Sequence, residues 1–124
     1  MRKRSLIAHG MFLLLSVGAC AQNTGLSGFR HDPNVIRADE ITELLDRSVY
    51  ETVQQLRPRW LMPRFNFKGL PSLFIDNQPY RLDFLETMQP LEVESLSLLN
   101  AADATFRWGL GYQNGAILIE TRRR

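Results

Sequence analysis

The sequence predicts an α/β fold of the α+β kind, in which a small mixed sheet is accompanied by short helices. Three stretches carry this expectation. VESLSLLNAADATFRWGLGYQNGAILIET, from Val93 to Thr121, reads as a strand, a short helix, a glycine-rich return and a second strand, a compact β-α-β unit. Apolar and polar residues alternate through Glu94, Leu96 and Leu98, whereas Ala116 to Ile119 is apolar on both faces and so belongs inside a sheet. Leu73 to Ile75 and Gln78 to Tyr80 flank Asp76-Asn77, two residue types that tolerate positive φ, which is the pattern of a tight β-hairpin. Ser48 and Glu51 form the S-x-x-E capping box that opens a helix.

The first residues read as an address. Arg2, Lys3 and Arg4 supply a positive start, Leu6 to Val17 an apolar stretch, and Val17-Gly18-Ala19 a small-residue approach to Cys20, the pattern of a secretion signal. His9 and Gly10 interrupt the apolar run, which falls short of the ~20 residues a transmembrane helix needs. Val17-Gly18-Ala19-Cys20 is similar to a bacterial lipobox, and the resemblance implies that residues 1–19 are removed and that Cys20 is lipidated. An ordinary signal peptide cut after Ala19 or Ala21 is the alternative. Ala21, where an aspartate would redirect a lipoprotein, resembles the outer-membrane address, and the expected location is a lipid-anchored, periplasm-facing one at the cell outer membrane.

Processing also changes the charge. Removal of Arg2, Lys3 and Arg4 takes the formal net charge from +2 to −1, so the basic balance belongs to the precursor and does not point to nucleic acid. His9 leaves with the same segment, His31 is then the one histidine, and a single cysteine excludes an internal disulfide. Neither a cofactor nor a histidine- or cysteine-based metal site is expected, although an all-carboxylate site stays open.

Residues 20–34 mix glycine, polar residues and a proline without any period and read as a tether, with an r.m.s. reach on the order of 20 Å. The expected domain spans residues 35–122. Val35 and Ile36 suggest a short leading strand, and Asp39 is the expected N-cap of a helix running through Ile41, Leu44 and Leu45. The helix opened by Ser48 carries an apolar stripe at Val49, Val53 and Leu56 and stops before Pro58. Beyond the hairpin, Pro79 lacks an N–H and pushes its strand to a sheet edge. Asp83 is the expected cap of a short helical segment holding Phe84, Leu85 and Met88, which Pro90 closes.

Arg57 to Lys68, RPRWLMPRFNFK, interleaves cations with aromatic rings, and Arg57, Arg59, Trp60, Arg64, Phe65 and Phe67 form the candidate partner-binding loop. The alternative is a surface loop whose Trp60 and Leu61 plug the end of the core while the arginines stay in solvent. In an exported chain, phosphorylated lipid headgroups or an acidic protein face fit this composition better than nucleic acid. Glu92 and Glu94 would share one face of a strand, but without an accompanying base, metal cluster or activated nucleophile they read as a solvated face. Ser95 and Ser97 have no evident base, and Gly109, Gly111 and Gly115 follow a helix and open a strand, the reverse of a dinucleotide fingerprint. The residues therefore point away from an enzyme.

From Val35 to Arg122 the chain resembles the plug domain of TonB-dependent outer-membrane receptors. Val93-Glu94 with Leu96 and Leu98 is similar to that family's valine-glutamate strand, and Ala101-Ala102-Asp103-Ala104 leading to Trp108-Gly109 is similar to its alanine-rich helix and aromatic-glycine pair. Gly115-Ala116-Ile117-Leu118-Ile119-Glu120-Thr121-Arg122 is similar to its closing strand. The resemblance implies a plug-like fold and a role beside nutrient uptake. A 22-stranded barrel would need more than ~200 residues beyond the plug, so the expectation is a plug-like unit without its barrel. The expected function is that of a lipid-anchored interaction component with a protein partner at the outer membrane. The alternative is capture of a small molecule by the loops from Trp60 to Phe67 and from Gly109 to Asn114.

Overall fold

The computed structural model describes residues 31–63 and 69–123. The signal segment, Cys20, most of the expected tether, and Arg64, Phe65 and Phe67 of the candidate loop lie outside the described residues. Five strands form one sheet: β1 (Val35–Arg37), β2 (Ser72–Ile75), β3 (Gln78–Tyr80), β4 (Val93–Leu99) and β5 (Ala116–Thr121). They are ordered β1-β4-β5-β2-β3. Three helices accompany them: α1 (Ala38–Thr42), α2 (Val49–Leu56) and α3 (Ala101–Trp108). Tighter single turns lie at Pro58–Leu61, Leu82–Glu86 and Pro90–Glu92. This is the expected small α+β architecture with a mixed sheet: β2 and β5 are parallel, while the remaining neighbours are antiparallel.

β5 is apolar on both faces because both are covered. On one face, Ile117 and Ile119 pack with Leu73, Ile75, Leu96 and Ile36 beneath Ile41, Val49, Val53, Trp60, Leu85 and Met88. On the other, Ala116 and Leu118 join Phe74 beneath α3, where Ala104, Trp108 and Tyr112 complete a smaller cluster. The Phe74 and Trp108 rings stack at 3.7 Å with 7° between planes, and Tyr112 meets Phe74 edge-on at 5.3 Å.

The local rules account for most elements. Ser48 accepts from the Glu51 N–H and Glu51 accepts from the Ser48 N–H, closing the capping box of α2. Asp76 and Asn77 adopt φ of 48° and 68°, the two positive values a tight hairpin turn requires. Pro79 sits on the edge strand β3, as its missing donor demands. Helix α3 covers the expected residues, with the Asn100 side chain accepting from the Asp103 N–H at its start.

Four expectations are corrected. Arg37, not Asp39, is the N-cap of α1, and Asp39 lies in the first turn. That helix stops at Thr42, because the Leu44 N–H turns back to the Ile41 carbonyl in a tighter bond; Leu44 is buried and Leu45 exposed. Asp83 accepts from the Arg81 side chain and caps nothing, Arg81 being the N-cap of its turn. Glu92 ends the turn Pro90–Glu92, and Glu94 lies where the β4–β5 register shifts between Val93 and Ser95, so the two glutamates do not share a strand face. The unit from Val93 to Thr121 is also distinct from a parallel crossover, since β4 and β5 are adjacent and antiparallel with α3 in their connection.

Candidate functional site

The arginine-rich stretch divides into an inward and an outward part. Arg57 turns inward: one guanidinium nitrogen donates to the carbonyls of Asp32 and Val35 and to the Glu40 carboxylate, each at 3.1 Å, and the other donates to the Leu56 carbonyl at 3.0 Å. Trp60 is only 3% exposed, and its indole N–H donates to the Pro33 carbonyl at 3.1 Å. The two side chains fasten the segment entering β1. Residues 32–34 are thereby tied to the domain, the Asn34 carbonyl accepting from the Leu98 N–H, so the folded part begins upstream of residue 35. Arg59 alone of the three described cations and rings faces solvent.

Both sheet edges are closed to strand addition. The β1–β4 register pairs Val35 with Ser97 and bonds Asn34 to Leu98, so the Val35 carbonyl points away from the sheet and is taken by Arg57. On the opposite edge, Pro79 offers no N–H. A partner therefore has to bind through side chains.

Such a surface lies against β3. Tyr80, Phe84, Met88 and Leu91 border a groove of about 840 Å³, floored by Ile75 and reaching Glu92 and the segment from Thr121 to Arg123. Its origin is local. β3 places Tyr80 on the outer rim, and the tight turn Leu82–Glu86 turns Leu85 inward while leaving Phe84 out. The Tyr80 and Phe84 rings lie 5.2 Å apart. Met88 is buried, while Phe84, Tyr80 and Leu91 are 42%, 46% and 59% exposed.

One end of the groove is polar. Asp76 accepts from the Thr121 hydroxyl and from its N–H at 3.0 Å, joining the hairpin turn to the end of β5. The Thr121 hydroxyl, then its N–H, and more weakly the nearby Arg123 charge hold the Asp76 carboxyl below the usual aspartate range, against a small opposing desolvation. Arg122 donates to the Val93 carbonyl at 3.0 Å and lies 3.7 Å from Glu94. Arg123 makes no ion pair among the described residues and stands at the rim with its charge near Asp76.

The groove can hold an apolar side chain and pair with an acidic one. Among the described residues there is no group of three or more His, Cys, Asp or Glu placed to hold a metal ion. His31 is engaged with Glu40 at 2.9 Å. The groove was hidden in the sequence because Phe84, Leu85 and Met88 are three apolar residues within one short segment. Which of them faces out is decided by the tight turn and by Pro90. A second outlying feature is Phe106 on α3, 95% exposed, with Leu110 just beyond the helix at 93%.

No helix of the described residues is long and apolar enough to cross a membrane. Comparison with protein-family models, with curated proteins and with solved structures yields no match.

Proposed function

We propose that this chain is a plug-like module, similar to the plug domains of TonB-dependent receptors, anchored through Cys20 at the outer membrane and acting there as a non-enzymatic protein-interaction component accessory to nutrient uptake. The observation that supports the interaction role is the groove of Tyr80, Phe84, Met88 and Leu91 with Arg123 at its rim. Aromatic rings, methionine and arginine are the residue types enriched at protein interfaces, and a recess that accepts an anchor side chain is the usual setting of a binding hot spot. Arg123 at the rim favours a partner segment that presents an apolar anchor beside a carboxylate. With both sheet edges closed, docking in this groove is the mode the surface allows. The reading requires no cofactor and no nucleic acid.

The test is site-specific photocrosslinking in intact cells. A photoreactive residue in place of Phe84 is expected to give one discrete protein adduct, and the same residue in place of Asp46, on the exposed turn before α2, is expected to give none. The adduct should be lost with Leu91→Ser and with Arg123→Glu. Equal adducts from both positions, or one indifferent to both substitutions, would remove the docking groove. Radioactive fatty-acid labelling of the wild type and of Cys20→Ala tests the anchor separately. Retention of a small molecule by the purified protein in native mass spectrometry, with no protein adduct at position 84, would favour capture instead.

A further inference from the structure

Phe106 and Leu110 stand out from the rest of the surface. Other exposed apolar side chains, such as those of the groove, border a recess and are half covered. These two are 95% and 93% exposed and belong to a projecting tip. The tip is supported from beneath. Trp108, between them, stacks on Phe74 at 3.7 Å, and Arg107 lies over the outer part of that stack, its guanidinium carbon 5.4 Å from the Trp108 ring centre. Gly109 and Gly111 flank Leu110 with φ of 92° and 112°. Leu110 is thus held at the apex of a turn that side chains other than glycine would resist on either side.

Charge on this face is sparse, Asp103 bordering the recess beside Phe106 and Arg107. From Ala104 to Ile119 the sequence contains a single charged residue, Arg107, which lies between the two protruding side chains. An aromatic and an aliphatic side chain exposed around one cation is the composition that enters the headgroup region of a bilayer. Rings and aliphatic groups settle at the acyl boundary, and the cation meets lipid phosphate.

The first described residues lie at the same end of the sheet as this tip. Leu99 lines a shallow recess with Asp103, Phe106 and Arg107, and its neighbour Leu98 is bonded to Asn34. The first described residues, from His31, held by Glu40, to Asn34, bonded to Leu98, therefore lie at the end of the sheet where β4 leads into α3. From Cys20 to His31 is eleven residues, which can span at most about 40 Å. A lipid anchor at Cys20 would keep a bilayer within reach of this end of the molecule.

We infer that the tip formed by Phe106, Arg107 and Leu110 inserts into a lipid bilayer surface, so that the domain is held in one orientation. The inference rests on the anchor at Cys20 proposed above for bringing a bilayer within reach. It also leaves the Tyr80–Leu91 groove free for a protein.

The test uses the full chain, expressed in cells and separately reconstituted in vesicles of phosphatidylethanolamine and phosphatidylglycerol, with a photoreactive residue in place of Phe106, Leu110 or, as control, Glu86. Phospholipid adducts at 106 and 110 should exceed those at 86 by roughly tenfold or more, the gain expected from moving one large apolar side chain out of water. Adducts at 106 and 110 that join protein, whether a second copy or another chain, would overturn the inference, as would lipid adducts no stronger than at 86. Fatty-acid labelling of Cys20 separates the two claims. Labelled Cys20 without lipid adducts at the tip defeats the tip and leaves the anchor. Lipid adducts at the tip of a chain whose Cys20 takes no label support the tip and defeat the anchor. Phe106→Ser and Leu110→Ser should leave the circular dichroism spectrum unchanged, because neither side chain is packed.

Discussion

Arg57→Met removes four hydrogen bonds at once. The side chain is 14% exposed and its partner Glu40 12%, so water replaces the lost donors only in part. A hydrogen bond to a charged group contributes about 1.5–3 kcal/mol, and stranding one member of a buried ion pair costs about 3–5 kcal/mol. These contributions overlap. Some of the freed carbonyls near Asp32 reach solvent, and His31 still lies beside Glu40. A net loss of about 3 kcal/mol follows. With a urea m-value of about 1 kcal/mol/M for a domain this small, the unfolding midpoint should fall by about 3 M, read from the fluorescence of Trp60 and Trp108. If much of the loss comes from the stranded carboxylate, Glu40→Gln in the Arg57→Met background should restore at least about 1 kcal/mol, although alone it destabilises. A loss below about 0.5 kcal/mol for Arg57→Met, the range of an unremarkable surface change, would refute the clamp, and no recovery in the double variant would refute the stranded charge. Replacing Arg57, Arg59 and Arg64 together would therefore disturb the fold as well as the arginine-rich loop. Lost capture would then reflect a loosened β1 and not a lost contact.

Gly115 and Gly109 both adopt positive φ, but only at Gly115 would a Cβ meet the backbone, 2.4 Å from the Leu99 carbonyl oxygen. Gly115→Ala should therefore cost at least about 3 kcal/mol and Gly109→Ala about 1–2 kcal/mol, a difference visible in thermal melts. Because the Asp76 pKa is depressed in the folded state, its bonds to Thr121 add stability above the ordinary aspartate range and lose it as pH falls through the depressed value. The stability advantage of the wild type over Asp76→Asn should thus be constant near neutrality and shrink on acidification. It should be small throughout, since the carboxylate is exposed. An advantage that grew toward low pH would reverse the assignment. Phe84→Ser and Leu91→Ser should shift stability by no more than about 0.5–1 kcal/mol, which keeps the loss of a crosslink at the groove interpretable as lost docking.

The legible parts of the fold are those set by neighbours in sequence. Ser48 and Glu51, Asp76-Asn77, and the span from Ala101 to Gly109 each specify their own geometry through caps and turn chemistry, and each adopts it. The double-sided apolarity of Ala116 to Ile119 correctly placed that strand inside the sheet. Long-range contacts decided the rest. Arg57 looked like a surface cation because its acceptors, the carbonyls of Asp32 and Val35, are backbone groups without any signature in side-chain pattern. The β4 bulge at Glu94 depends on β5, and the outward turn of Phe84 on a tight turn that composition does not distinguish from an α-helix. The groove was consequently invisible as a site, although Tyr80, Phe84 and Met88 were in view as members of the hairpin and of the segment that follows it.

The position of β5 governs when the molecule can come into being. β1 pairs with β4, and β2 with β3, but these two ribbons touch each other only through β5, the last strand in the chain. Two-stranded ribbons have little stability of their own in water. Ile75, for example, finds Ile119 only across 44 residues of chain. A chain emerging N-terminus first, from the ribosome or through a membrane pore, therefore stays extended and threadable until residues 116–121 arrive, and the sheet then closes around them in a single late step.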